Sequence, residues 1–138
     1  MPAAASRDVL DRFYLRVLGF MYQVLGDAEL AAQATQAVFV QRVPPTDDRS
    51  VWAAVMTTMH SYLARGFVVR PLVPVTHGWQ ADLLRGLARL EPPERALLLL
   101  RYHEGLHVAL IGQILERDEQ MVREQIAAAR SRLLDVME

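Results

Sequence analysis

Cysteine and lysine are both missing from this 138-residue chain. Without cysteine there is no disulfide and no thiolate metal centre, an absence that suits a reducing cytoplasm, which is the expected location. Without lysine, all 15 basic residues are arginine. Guanidinium groups favour bidentate contact with phosphate, although a compositional bias of the genome accounts for the pattern more simply. An excess of positive charge is also lacking, since the formal net charge is −1. Binding to a polyanion draws on clustered cations that displace counterions, and no run of the sequence concentrates them. No apolar run approaches the roughly 20 residues that span a bilayer, so no membrane association is expected. Arg7, Asp8 and Asp11 fall where a signal peptide would need an unbroken apolar core, so secretion is not expected either. Glycine-rich phosphate loops, nucleophile elbows and paired carboxylates in an apolar setting are absent, so no enzyme class and no cofactor is indicated.

What is present is helical periodicity cut by glycine and proline. Residues 8–25 repeat apolar side chains at helical spacing (Val9, Phe13, Leu15, Val17, Leu18, Met21, Val24, Leu25), Gly26 ends that helix and Asp27 caps the next. The next helix is expected over 28–42, stopped by Pro44-Pro45. A third begins near Asp48 or Arg49 and runs through Trp52, Val55, Met56, Met59, Tyr62 and Leu63 to Arg65. Residues 66–78 are β-branched and contain Pro71 and Pro74, so they read as an extended linker. Fully stretched, 13 residues reach at most roughly 43–47 Å. Beyond them Leu83, Leu84, Leu87 and Leu90 mark another helix.

Residues 90–133 then hold three apolar-periodic pieces. Glu91-Pro92-Pro93 opens the first, because proline at the first helical position loses no needed N–H and presets φ, and Gly105 closes it. Residues 106–115 form a short second helix. Asp118 starts a third that runs to about Met137, with Val122, Ile126, Ala129, Leu133 and Val136 as its buried stripe. This is the layout of a helix-turn-helix unit. Glu119, Gln120, Arg123, Glu124, Ala127 and Ala128 lie on the opposite face, open to a partner.

Leu100-Arg101-Tyr102, Glu104-Gly105-Leu106, Ile111, Ile114-Leu115, Glu119, Val122, Ala129-Arg130 and Arg132-Leu133 resemble, without a gap, the promoter-reading domain of bacterial extracytoplasmic-function sigma factors. The N-terminal half resembles the domain of that family that docks on the polymerase clamp, through Leu25-Gly26-Asp27, Glu29, Ala31, Gln36, Phe39 and Trp52. Together the two resemblances cover nearly the whole chain in the family's order. They imply an all-α fold of two small helical lobes joined by a short linker: residues 1–65, a linker at 66–78, and a helix-turn-helix domain at 79–138.

The resemblance also implies partners and sites. Asp27, Glu29, Gln36 and Phe39 would meet core RNA polymerase, while Glu119, Gln120, Arg123, Glu124, Arg130 and Arg132 would face promoter DNA. Arginine and glutamine suit base edges, glutamate can accept from a cytosine amino group, and further arginines hold phosphates. The chain departs from the family pattern at Leu30, Ala32, Gln33 and Ala37, where acidic residues are usual. It departs again at Thr57, Thr58, Met59 and His60 in the promoter-melting helix, and at Glu116-Arg117, Glu124, Ala127 and Ala128 beside the recognition helix. Trp52 and Tyr62 offer rings for base stacking but lie on or beside the apolar stripe, which reads as core. Residues 79–138 hold 8 arginines against 10 acidic residues, unfavourable for approach to a polyanion.

Two functional expectations follow: a sigma-like regulator that binds polymerase and a promoter, or a sigma-like interaction module that binds an anti-sigma factor, polymerase or a second copy of itself without reading promoters. His103-Glu104-Gly105-Leu106-His107 has the HExxH spacing of zinc hydrolases, whose two imidazoles must share one unbroken helix. Gly105 sits at an expected helix end, so no metal centre is expected there.

Overall fold

The computed structural model describes residues 2–66 and 79–137, with backbone alone at 79–81. It divides the chain into two units, Met1–Val68 and Val69–Glu138. The linker expected over 66–78 lies outside the described residues apart from Gly66.

The first unit begins with β1 (Ala3–Ala4), followed by α1 (Arg7–Leu25) and α2 (Ala28–Phe39). Ser6 caps α1 by accepting from the Val9 N–H at 3.3 Å, which satisfies one of the four orphan donors of a helix start. Gly26 ends it in the left-handed region at φ 71°, its N–H donating to Tyr22. Asp27 accepts from the Leu30 N–H at 2.9 Å and starts α2. That helix stops three residues before the expected Arg42, because Val40–Gln41 (β2) pairs antiparallel with β1. The Ala5 N–H continues the ladder to the Phe39 carbonyl at 2.7 Å. Helix α3 (Asp48–Ala64) carries a capping box, in which Asp47 and Ser50 each satisfy the other's backbone N–H.

Phe13, Phe20, Phe39, Trp52, Met21 and Met59 fill the core of this unit. Each fully buried side chain of this size contributes about 1.5–3 kcal/mol of transfer free energy. Phe20 meets Trp52 edge to face at 5.5 Å between centroids, a favoured arrangement of ring quadrupoles. Leu15 departs from the expected stripe: it is 80% exposed, since at 100° per residue it points away from the face shared by Phe13, Val17 and Phe20.

The second unit holds α4 (Trp79–Ala88), α5 (Pro92–Leu98), α6 (Val108–Leu115) and α7 (Glu119–Met137). The prolines open α5 as expected, but its end widens into a π turn, Leu99–His103. Leu97, Leu98, Leu99 and Leu100 are all buried, so this stretch is enclosed on nearly every side. Helix α7 packs against α4, α5 and α6. Its crossing with α4 is close at Gly86, where a Cβ would stand 2.8 Å from Met137 and 2.9 Å from Leu133.

Arg95 holds the end of α4. It is 3% exposed, and its guanidinium donates to the carbonyls of Leu87 at 2.8 Å, Ala88 at 3.2 Å and Leu90 at 3.0 Å. Leu87 and Ala88 belong to the last turn of α4, whose carbonyls lack regular intrahelical partners, and Leu90 lies just beyond it; the Leu87 carbonyl also accepts from the Leu90 N–H at 3.2 Å. Burial pushes the Arg95 pKa down, while the neighbouring Glu91 charge opposes that shift.

The segment expected as the helix-turn-helix is α6, a three-residue turn and α7. The turn starts at Glu116 in the left-handed region, φ 54° and ψ 48°, a conformation with a steric penalty for residues bearing a Cβ. The Arg117 N–H closes back on the Gly112 carbonyl at 2.9 Å. A Cβ at Gly112 would lie 2.9 Å from the Arg117 carbonyl oxygen, so a glycine is needed there for room.

Candidate functional site

The π turn and α7 face one another across an open cavity of about 260 Å³. Arg101 and Tyr102 line it from the π turn, Val108 from the first turn of α6, and Arg123, Ile126, Ala127 and Arg130 from α7. Three arginines thus line one depression, and no acidic residue is among its lining residues. The sequence had suggested no concentration of basic residues. The structure corrects this, because Arg101 stands 22 positions before Arg123 and the fold brings both to one cavity.

Tyr102 anchors the arrangement. Its hydroxyl oxygen accepts from Arg130 at 2.9 Å, and the Arg101 guanidinium lies 5.6 Å from its ring centroid, within cation–π range. Arg123 pairs with Glu119 one turn away at 2.7 Å, both side chains about half exposed. Such a surface pair is worth less than about 1 kcal/mol and exchanges readily for another anion.

Arg132 stands apart from this group. It pairs at 2.7 Å with Glu94 of α5, whose side chain is only 19% exposed. The other Glu94 oxygen is buried without a hydrogen-bond partner among the described residues. Moving Arg132 to a phosphate would strand a largely buried carboxylate, a penalty of several kcal/mol. Of the residues the sequence pointed to on α7, Arg123 and Arg130 therefore reach the cavity. Glu119, Gln120 and Glu124 are exposed on the outer face, with Gln120 bonded to Glu124 at 3.4 Å. Arg132 is committed to the scaffold. Arg101 and Tyr102 belong to the family resemblance in the sequence, where nothing local marks them as site residues.

In the first unit, Glu29 and Gln36 are exposed seven residues apart on one face of α2, two helical turns on the same side. The other two residues expected to meet polymerase have structural duties. Asp27 is the cap of α2, and Phe39 is 1% exposed, its ring 5.6 Å from that of Tyr14. Phe39 presents no surface to a partner because the β1–β2 pairing fixes the end of α2 over the core. Trp52 and Tyr62 are likewise buried, at 0% and 8% exposure. In the HExxH stretch, Gly105 at φ 71° separates His103 in the π turn from His107, which precedes α6. No group of three or more potential metal ligands occurs among the described residues, and no helix among them is long and apolar enough to cross a membrane.

The described residues form an all-α chain of two units, the second closing in α6, a tight turn and a long α7. Among solved structures, it is similar to the sigma factor RpoE from Bartonella quintana, determined in complex with the anti-sigma factor NepR. The TM-score is 0.74, 95% of each chain is covered, and 13% of residues are identical. Neither a protein-family model nor a curated protein sequence matches the chain.

Proposed function

We propose that this chain is a transcription-initiation regulator of the extracytoplasmic-function sigma type. In this reading the first unit docks on core RNA polymerase through the α2 face bearing Glu29 and Gln36. The second unit offers the outer face of α7, led by Gln120 and Arg123, to promoter DNA. The supporting observation is the fold likeness to a sigma factor over 95% of both chains. Run-off transcription from genomic fragments with reconstituted core polymerase tests it. Transcripts starting at defined sites are expected, and their absence from every fragment would contradict promoter reading.

A second reading is favoured by the charge pattern. Leu30, Ala32, Gln33 and Ala37 leave the α2 face nearly uncharged, and residues 79–138 carry 8 arginines against 10 acidic residues. An interaction module that binds an anti-sigma factor, without reading a promoter, fits both facts. Capture of an anti-sigma factor at undiminished strength in high salt, with no transcription, is its signature, since contacts of uncharged surface are little screened.

A further inference from the structure

We propose that the cavity lined by Arg101, Tyr102, Arg123 and Arg130 binds a compact phosphate or diphosphate group, and that this ligand regulates the outer face of α7 by occupying Arg123 and Arg130. The regulatory part rests on the sigma reading above; the binding itself does not.

Charge and size both select the ligand. Three of the 8 arginines in residues 79–138 line this one cavity, so an oxyanion inside it has three arginine side chains as neighbours. Planar guanidinium forks match phosphate oxygens bidentately. The Tyr102 hydroxyl accepts from Arg130 and retains its own proton to donate to an oxyanion. Val108, Ile126 and Ala127 supply an apolar wall for a small substituent.

Beyond the cavity the field reverses. Glu119 and Glu124 stand on the same helix, and the unit as a whole has an acidic excess. An extended polyanion places charges over more than the roughly 8–10 Å screening length and meets these carboxylates. A compact ligand keeps its charge among the arginines and meets only Glu119, which it displaces from Arg123. A volume of about 260 Å³ is at the small end for ligand cavities, which commonly run about 300–1,000 Å³, and suits a diphosphate or a phosphate with a small substituent.

Isothermal titration of the full chain with pyrophosphate, and separately with a 25-base-pair duplex, at physiological salt tests the proposal. We expect saturable pyrophosphate binding at one site, weakened about tenfold or more by Arg101→Gln or Arg130→Gln, as loss of one charge-assisted bond implies. Arg85→Gln, which lies outside the cavity, leaves it unchanged. Duplex should bind more weakly than pyrophosphate. Absence of saturable binding up to millimolar pyrophosphate overturns the proposal, as does binding indifferent to both cavity variants. Duplex that binds more tightly than pyrophosphate and is lost in the same variants overturns it in favour of nucleic acid. The pyrophosphate arm needs neither polymerase nor promoter, so its outcome is independent of whether the chain acts as a sigma factor, whereas the duplex arm bears on both.

Discussion

Replacing Arg95 by methionine tests the energetic account of the second unit most sharply. The substitution keeps an unbranched stem of moderate length but removes the group that serves three carbonyls, those of Leu87, Ala88 and Leu90. A hydrogen bond from a charged donor contributes about 1.5–3 kcal/mol, and an orphaned buried acceptor costs about 1–3 kcal/mol. Against this stands the penalty for burying the cation, visible in its depressed pKa and relieved when the charge is removed. The balance is a loss of about 2–4 kcal/mol, since the Leu87 carbonyl keeps the Leu90 N–H and partial hydration of the freed carbonyls offsets part of the three lost bonds. For a unit of this size each kcal/mol lowers Tm by roughly 4–8 °C. Calorimetry of the full chain, paired with hydrogen exchange of α4, reads both the magnitude and the place. Arg95→Lys should fall between wild type and Arg95→Met, because one ammonium cannot span three separated acceptors. A variant Arg95→Met within 0.5 kcal/mol of wild type, or α4 amides as protected as before, would refute the reasoning.

Other changes report on the turn and on a cap. Glu116→Gly should raise the stability of the second unit by about 0.5–1 kcal/mol in a thermal melt, because glycine adopts φ 54° without the Cβ penalty yet brings extra unfolded-state entropy. Gly112→Ala should lower it by about 1–3 kcal/mol in the same assay, as overpacking against the rigid Arg117 backbone does. Hydrogen bonds from the Ser50 hydroxyl and N–H, aided by the Arg49 charge, hold the Asp47 carboxyl below its ordinary pKa. A depressed folded-state pKa stabilises above the unfolded value and loses that contribution as pH falls through the folded value. Asp47→Asn should therefore flatten the acid limb of the stability profile below about pH 4, near the ordinary aspartate value, in urea titrations across that range.

Helix order was legible in the sequence because its signals are local. Gly26, Pro92-Pro93 and Gly105 punctuate the chain within two residues of the elements they bound, and Ser6, Asp27 and Asp47 are ordinary cap types. Features that depend on distant partners were not legible. The early end of α2 comes from pairing with Ala3–Ala4, more than 30 residues upstream, and no local propensity encodes that contact. Arg95 sits in an ordinary helical stretch and reads as a surface charge until the fold places the end of α4 over it. Leu15 fits a list of apolar residues, yet its angle on the helix puts it outside. The arginine cavity escaped for the same reason as Arg95: charge counted along the chain is evenly spread, whereas charge counted in space is not. Resemblance to a family pointed to α7 and picked out Arg123 and Arg130, but could not tell that Arg132 is bound to Glu94.

The most direct test of the central claim is gel filtration of the chain with core RNA polymerase at physiological salt. Co-elution in a stoichiometric complex, weakened by Glu29→Arg on the exposed face of α2, is the result predicted for a sigma-type regulator. Separate elution of chain and polymerase would contradict it and leave the anti-sigma-binding reading in its place.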